Sequence, residues 1–312
     1  PQRFLNRLGA SEVDPDSICN AAGHAALTYM YGTGMEGFDP RAAKDARAIL
    51  IWGANPHTSA PHQHKHWMRE TDAKVIVVDP VKHGSAVAAH LHLQPFPGSD
   101  AALAFAIAHV LRRDGRIDRA FLAAHAIGWD ELEPEIARCS PEWAAPITGV
   151  PAARIEEAAR LFGAGPALLW IGQGLTRQPM GGNVTRAVAM LSALKGDFAK
   201  PGAGFLLLNG GGRRGLDGDY SEAPHLRGGE KRKVSHMDLI ETLGDPRQAR
   251  ALVTWNVNIA ASNPRQEKLH HTLKGDHLFH VAIDCFPTDT TDFADFVLPA
   301  AGFLEFDDMV AP

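Results

Sequence analysis

The 312-residue chain is long enough for about two domains, and its 45% hydrophobic and 21% charged residues are ordinary for a protein that buries a core. Its formal net charge of −5 excludes the basic footprint of a nucleic-acid-binding protein, and no run of about 18 apolar residues is present to span a membrane. The three cysteines are odd in number and far apart, so they predict neither a disulfide framework nor a C-x-x-C metal site.

The cysteine usage favours a reducing compartment, and we expect a cytoplasmic protein. The chain begins with Pro1 instead of Met and carries no leader-like segment. We therefore expect a piece of a longer protein, which leaves a periplasmic location open.

Short apolar runs alternate with helical patterns along most of the chain. After a mixed region, strands are predicted at residues 48–52, 74–79, 89–94, 167–172, 251–255, 277–284 and 292–299. Helices are predicted at residues 60–71, 99–113 with Ser99 as N-cap, several segments of 117–162, 181–195 and 262–273. Residues 196–235 are rich in glycine and then in charge, and are predicted to be irregular. This alternation predicts an α/β fold with two Rossmann-like, three-layer αβα domains and mostly parallel sheets.

One pattern occurs twice. The run ILIWGANP (49–56) leads through a helix to VIVVDP (75–80), and ALVTWNVN (251–258) leads through a helix to HVAIDC (280–285). In each case the second strand ends in an acid, Asp79 or Asp284. Because ligands of such folds bind outside the carboxyl ends of the strands, the repeat predicts two related nucleotide-binding units.

The first strand end carries residues suited to an anionic ligand. Gly53 lets backbone N–H groups approach an anion, Asn55 can cap the turn and donate to a phosphate or ribose, and Asp79 can accept from ribose hydroxyls. The PGSD sequence offers a further approach at Gly98 and Asp100. Plain turn chemistry with a helix N-cap would give the same pattern, and both interpretations stay open.

Three other motifs are weaker. The G-x-G-x-x-G sequence at 32–37 follows no apolar strand, and Pro40 comes soon after it, so we interpret it as an ordinary turn. His62 and His66 would share one helix face, near His57 and His64, but a polar surface is a better explanation than a zinc site. Cys19 precedes small residues that could begin a helix, where a thiolate could bind a soft metal; a lone cysteine is more often structural.

Five stretches together resemble the molybdopterin oxidoreductase family of the DMSO reductase type. They are DPDSICNAAG (14–23), WGANPHTSAP…VIVVDP (52–80), PGSDAALAFAIAHVL (97–111), GQGLTRQPMGGNVTRAVAMLSALKGDFAKPGAG (172–204) and DTTDFADFVLPAAGFLE (289–305). The fourth is the most specific. The resemblance implies a bis-molybdopterin guanine dinucleotide cofactor with molybdenum or tungsten, and two-electron redox or oxygen-atom transfer on a small-molecule substrate.

The family's residues carry over by position. Cys19 matches the metal ligand, and His24 and Arg177 are candidates to lie near the metal. The first guanine dinucleotide arm would be lined by Gly53, Ala54, Asn55, Asp79, Gly98 and Asp100, with a bordering turn at Gly172, Gln173 and Gly174. The second arm would be served by Asn256, Asn258, Asp284 and Thr288.

Two departures from the family pattern stand out. The second unit has Asn256 to Ile259 where the family shows G-x-N-P, so the approach of the backbone to a phosphate could differ there. Asn20 follows Cys19 where formate dehydrogenases have a histidine, which makes formate a less favoured substrate.

The family organisation implies a division of the chain. Residues 1–20 would lead to the metal-ligand loop, 21–165 would form the first α/β domain, and 166–312 an incomplete second one containing the irregular loop 196–235. A [4Fe–4S] cluster is expected in an upstream region, an iron–sulfur electron-transfer subunit is a possible partner, and the isolated fragment is predicted to be inactive. The alternatives are a non-catalytic electron-transfer scaffold of the same fold and a plain nucleotide-binding α/β protein.

Overall fold

The computed structural model describes residues 2–34, 37–207 and 217–307, apart from the side chains of Pro15 and Trp67. The chain forms two compact units: unit 1 comprises Pro1–Ile18 with Arg213–Pro312, and unit 2 comprises Cys19–Gly212. The strands are β1 Glu12–Asp14, β2 Ala48–Trp52, β3 Lys74–Val78, β4 Leu91–Leu93, β5 Ala167–Ile171, β6 Gly204–Leu206, β7 Lys233–Ser235, β8 Ala251–Trp255, β9 Phe279–Asp284 and β10 Phe296–Pro299.

The helices are mostly short. They are α1 Gln2–Leu8, α2 Ala21–Tyr31, α3 Pro56–Ser59, α4 Pro61–Gln63, α5 Gly84–Val87, α6 Asp100–Arg113, α7 Arg119–His125, α8 Trp129–Arg138, α9 Pro141–Thr148, α10 Ala152–Phe162, α11 Gly181–Leu194, α12 Gly218–Glu222, α13 Leu239–Gly244, α14 Ile259–Ser262 and α15 Gln266–Leu273. Within the ranges that the structure describes, no helix combines the length and the apolar character that crossing a bilayer requires.

Unit 2 is built on a five-stranded parallel sheet in the order β4-β3-β2-β5-β6. All five residues of β2 are buried, as expected for a central parallel strand covered on both faces. Leu50 and Trp52 pack on one face in a core with α6, α10 and α11, and Ile49 and Ile51 face a second core. The period of two along the strand thus creates the predicted three layers.

Unit 1 contains a three-stranded parallel sheet, β10-β9-β8, and a parallel pair, β1-β7. Its core joins Leu252 of β8 to leucines and isoleucines of α13, α14 and α15. Along β8 burial alternates: Leu252 and Thr254 are buried, and Val253 and Trp255 are 40% and 47% exposed. This alternation shows that the described helices cover one face of the sheet.

The structure departs from the sequence predictions in several places. The helix predicted at 60–71 is a short α4 followed by a π-helical turn, His64–Met68. The region 196–235 was predicted to be irregular, and this was wrong in part, since it contains β6, α12 and β7; residues 208–216 lie outside the described residues. These elements have three to five residues, too few for a hydrophobic period to show.

The boundary between units also differs from the predicted one. Residue 165 was expected to end the first domain, but β5 pairs with β2 in register, with Trp52 opposite Ile171. Residues 166–212 therefore belong to the unit that begins at Cys19, and residues 1–18 belong with the C-terminal part of the chain. Ser99 is the N-cap residue of α6, as predicted, but its hydroxyl donates to the Phe96 carbonyl at 2.6 Å and makes no cap hydrogen bond to α6.

Candidate functional site

The turns after β2 and β5 join at the carboxyl edge of the unit 2 sheet. Gly53 has a φ of +62°, a left-handed conformation that glycine adopts without strain, and its N–H donates to Val78 O at 2.9 Å. Gly172 N donates to Trp52 O at 2.7 Å, and Gly174 N donates to Gly53 O at 3.1 Å. A Cβ on Gly172 would lie 2.0 Å from Gly53 O, so only glycine allows this approach.

Two hydroxyl groups bond the partly buried Asn55 side chain. Its Nδ2 donates to Thr58 Oγ1 at 3.0 Å, and its Oδ1 accepts from Ser85 Oγ at 3.0 Å. His57 N donates to the same Ser85 oxygen at 2.9 Å. The Asn55 amide, which was predicted to contact a phosphate or ribose, therefore supports its own turn, next to Ala54. It does so through Ser85, which the sequence did not indicate.

Asp79 follows β3 at the same edge. Its Oδ1 accepts from Val81 N at 2.8 Å, and its Oδ2 lies 3.4 Å from His83 Nε2, which makes an ion pair when the imidazole is protonated. Both side chains are largely buried. The carboxylate is thus oriented by its own turn and by one imidazole.

Asp100 is a buried acceptor at the start of α6. Trp52 Nε1 donates to its Oδ1 at 2.8 Å and Gln178 Nε2 to its Oδ2 at 3.0 Å. Gly98 has a φ of +91°, and a Cβ there would meet only Gln178 Oε1, at 3.7 Å. Gln178 Oε1 and Gln173 Oε1 are both buried without a hydrogen-bond partner among the described residues. A ligand with N–H donors would satisfy these oxygens.

Cys19 and Arg177 are 158 residues apart in sequence and meet in unit 2. Arg177 Nη2 lies 3.4 Å from Cys19 Sγ, directly after the Gly172–Gly174 turn. The sulfur also lies 3.6 Å from Asn20 Oδ1, and the cysteine is partly buried. His24 lies in the first turn of α2, which begins two residues after Cys19. Two of the three predicted catalytic residues are therefore in contact.

In unit 1, the turn after β8 repeats the turn after β2. Asn256 occupies the place of Gly53, with a φ of +50°, and its N–H donates to Ile283 O at 2.8 Å. Asparagine tolerates the left-handed region better than most residues, so the missing glycine leaves this backbone conformation unchanged. Asn258 Oδ1 accepts from Thr290 Oγ1 at 2.8 Å.

Of the remaining predicted residues of unit 1, Asp284 ends β9 and Thr288 lies in the loop after it. Asn258 Nδ2 donates to Asp289 Oδ2 at 3.0 Å, and this hydrogen bond is the main cause that lowers the pKa of Asp289. Asp284 Oδ1 accepts from Phe286 N at 3.4 Å. Thr288 Oγ1 is buried and has no hydrogen-bond partner within the described ranges. Thr288 is thus the predicted residue here with an unsatisfied polar atom.

The histidines between His57 and His66 pair through their rings. His57 and His64 meet edge to face at 5.1 Å, and burial followed by the charge of His57 lowers the pKa of His64. Rings of His62 and His66 stack at 6.5 Å. Across residues 2–34, 37–207 and 217–307, no three or more His, Cys, Asp or Glu side chains are grouped to hold a metal ion.

Two further features are the G-x-G-x-x-G sequence and a groove in unit 1. The G-x-G-x-x-G sequence begins at Gly32, which caps the C-terminus of α2, and its residues 35 and 36 lie outside the described part of the chain. A helix and not a strand therefore precedes the sequence, which agrees with its interpretation as an ordinary turn. Unit 1 also contains a groove of about 640 Å³ that both apolar and basic residues line, among them Trp255, Arg227 and Arg250. Its lining does not include the predicted residues of unit 1.

Comparison with known proteins gives one consistent family. A model described as "Molybdopterin oxidoreductase" matches residues 2–311. The probable oxidoreductase YoaE of Bacillus subtilis is 31% identical, over 97% of this chain and 45% of its own length. The F420-dependent formate dehydrogenase 1 subunit alpha of Methanococcus maripaludis is 29% identical, over 93% and 46%. Dimethyl sulfoxide reductase DmsA of Escherichia coli is 26% identical, over 95% and 41%.

A solved structure confirms the fold. Acetylene hydratase from Pelobacter acetylenicus superimposes with a TM-score of 0.77 at 21% identity, over 98% of this chain and 47% of that chain. The predicted α/β class with parallel sheets is therefore confirmed. The chain spans a little under half the length of the relatives that it matches.

Proposed function

The chain belongs to the molybdopterin oxidoreductase family, and from that premise we propose that it forms the central part of a longer enzyme that uses bis-molybdopterin guanine dinucleotide with molybdenum or tungsten. The reaction is a two-electron oxidation or reduction, or an oxygen-atom transfer, on a small molecule. The names of the relatives include a formate dehydrogenase and a dimethyl sulfoxide reductase, so the family alone does not choose the substrate.

The contact between Cys19 and Arg177 carries this proposal. A thiolate is the form of cysteine that binds a soft metal, and the Arg177 guanidinium 3.4 Å from the sulfur is a cationic donor suited to an anionic partner. When bound, the cofactor supplies a metal that exchanges two electrons. Cys19 would be its protein ligand, and Arg177 and His24 would orient the substrate or the cofactor beside it.

Unit 2 offers features that fit the first guanine dinucleotide arm. The Gly172–Gly174 turn packs so closely on Gly53 that a Cβ at Gly172 or Gly174 would collide with the Gly53 backbone. The unsatisfied oxygens of Gln173 and Gln178 suit a ligand with N–H groups, as a guanine or pterin ring has. Asp79 would accept from ribose hydroxyls, and Gly53, Ala54 and Gly98 would present backbone, while Asn55 and Asp100 would support these loops.

Unit 1 would hold the second arm through its repeated turn. Asn256 keeps the left-handed backbone of Gly53, and the buried Thr288 hydroxyl is available to a ligand atom. Asp284 would take the role of Asp79. Asn258 would support the turn, as Asn55 does in unit 2.

Electron transfer would involve parts beyond this chain. We propose a [4Fe–4S] cluster in the remainder of the longer protein and an iron–sulfur subunit as partner, in a cytoplasmic or periplasmic complex. One relative is named as the alpha subunit of a dehydrogenase, which supports an assembly of several chains.

The test is the cofactor content of the complete protein, produced in a host that makes the cofactor. We expect molybdenum or tungsten together with guanine nucleotide released by acid hydrolysis. Protein free of both metals and of nucleotide would contradict the proposal. Nucleotide without metal, unchanged in Cys19→Ala, would favour the nucleotide-binding or scaffold alternatives.

A further inference from the structure

The two units contain the same hydrogen-bond network at their strand ends. In unit 2, Ser85 Oγ donates to Asn55 Oδ1 at 3.0 Å and accepts from His57 N at 2.9 Å. In unit 1, Thr290 Oγ1 donates to Asn258 Oδ1 at 2.8 Å and accepts from Ala260 N at 3.0 Å. Each hydroxyl bonds the asparagine and the backbone N–H two residues after it.

The surrounding framework is repeated as well. Gly53 N donates to Val78 O, and Asn256 N donates to Ile283 O, in the same register. A second hydroxyl on each turn donates to the asparagine carbonyl, from Ser59 at 3.0 Å and from Ser262 at 2.7 Å. The equivalence of Ser85 and Thr290 therefore follows from the backbone around them and not only from two similar contacts.

Each hydroxyl joins two loops. Ser85 lies in α5, in the connection after β3 and downstream of Asp79, and it bonds His57 of α3 in the connection after β2 that begins at Gly53. Thr290 joins the loop after β9 to the loop after β8 in the same way. Ser85 and Thr290 are only 1% exposed. Loss of the Ser85 hydroxyl removes the hydrogen bonds of Asn55 Oδ1 and His57 N, and loss of the Thr290 hydroxyl removes that of the buried Ala260 N, while Asn258 Oδ1 keeps a hydrogen bond from Thr290 N at 3.2 Å.

We infer that Ser85 and Thr290 are equivalent positioning residues, each fixing the separation of the two loops that flank one nucleotide arm of the cofactor. The inference rests on the proposed function. The asparagine amides are occupied by these contacts, so the ligand meets backbone and the aspartate side chains, whose spacing depends on the hydroxyl. Because unit 1 uses threonine where unit 2 uses serine, either residue supplies the required hydroxyl.

The test measures how fast the complete, cofactor-loaded protein loses guanine nucleotide after buffer exchange. Because the hydroxyl's hydrogen bonds are lost, Ser85→Ala and Thr290→Val should each release nucleotide about tenfold faster, a change that corresponds to about 1.4 kcal/mol. The exchanges Ser85→Thr and Thr290→Ser should stay within about twofold of wild type. Ser59→Ala and Ser262→Ala are matched controls, since they remove an exposed hydroxyl from the same turns.

Thermal unfolding of each variant separates positioning from loss of the fold. If Ser85→Ala does not fold, Ser85→Cys keeps a similar volume with a weak donor, and it should release nucleotide faster than Ser85→Thr. Release at the wild-type rate from Ser85→Ala or Ser85→Cys, and from Thr290→Val, would overturn the inference while leaving the proposed function intact. Wild-type protein without guanine nucleotide would overturn both.

Discussion

Gly172→Ala should destabilise unit 2 through a collision between backbone segments. The φ of Gly172 is −100°, which any residue adopts, so the backbone conformation itself contributes no strain. The added methyl group would lie 2.0 Å from Gly53 O, 2.4 Å from Gly53 C and 2.5 Å from Ala54 Cβ. These are backbone atoms and a Cβ, which have no rotamer to move aside.

The size of the destabilisation depends on the contacts that are lost when the turns after β2 and β5 separate. Overpacking costs about 1–3 kcal/mol, and separating the turns would also weaken the bonds from Gly172 N to Trp52 O and from Gly174 N to Gly53 O, each contributing about 1 kcal/mol. We expect the free energy of unfolding of unit 2 to fall by about 3–5 kcal/mol.

Urea denaturation, combined with hydrogen exchange of the β2 and β5 amides, measures this change within unit 2. Gly228→Ala, in unit 1, is the control for an added methyl group, because a Cβ there meets nothing within 4 Å; the free energy of unfolding of either unit should change by no more than about 0.5 kcal/mol. A loss below about 1 kcal/mol for Gly172→Ala would refute the close approach of the two turns.

Three further predictions concern buried polar contacts. Asp197→Ala should lower the free energy of unfolding by about 3–5 kcal/mol in urea denaturation, because it leaves the buried Lys195, 2.7 Å away, without its counter-ion. Glu157→Ala, which breaks an exposed pair with Arg154, should lower it by less than about 1 kcal/mol, and equal losses would contradict the prediction. Trp52→Phe should lower the free energy of unfolding by about 1–3 kcal/mol, since Asp100 Oδ1 loses its donor. Trp170→Phe, which breaks no such bond to Asp100, is the comparison, and equal losses for the two variants would count against the buried contact of Trp52 with Asp100. Burial lowers the pKa of His280, so unit 1 should have its full stability above the ordinary histidine pKa of about 6.5 and should lose stability as the pH falls through the lowered pKa. His280→Gln should reduce this loss, and an unchanged pH dependence in the variant would refute the prediction.

Much of the fold could be predicted from hydrophobic patterns. The all-buried run of β2 and the β-branched run of β3 have strong signals, and their strand bounds agree with the predictions to within a residue. The three-residue β6 has no such hydrophobic signal, and its place at the sheet edge depends on pairing with β5. The unit boundary was missed for the same reason, because strand order is set by contacts far apart in sequence.

The candidate site shows the same limit. Strand-end residues such as Gly53 and Asp79 could be found because parallel strands end at one edge. Ser85 lies in the four-residue helix α5 and Thr290 in a loop, where a hydroxyl has no distinctive sequence pattern, and their role appears only when the two networks are compared. The contact of Arg177 with Cys19 likewise needs the turn after β5 to be in place.

X-ray absorption at the metal edge of the complete protein tests the central claim, that Cys19 binds the metal of a molybdopterin cofactor. The wild-type spectrum should show molybdenum or tungsten in a sulfur-rich shell, and Cys19→Ala should lose about one sulfur ligand from it. Cys139→Ala, at another partly buried cysteine of unit 2, should leave the shell unchanged. A sulfur shell that is the same in wild type and Cys19→Ala would contradict the account.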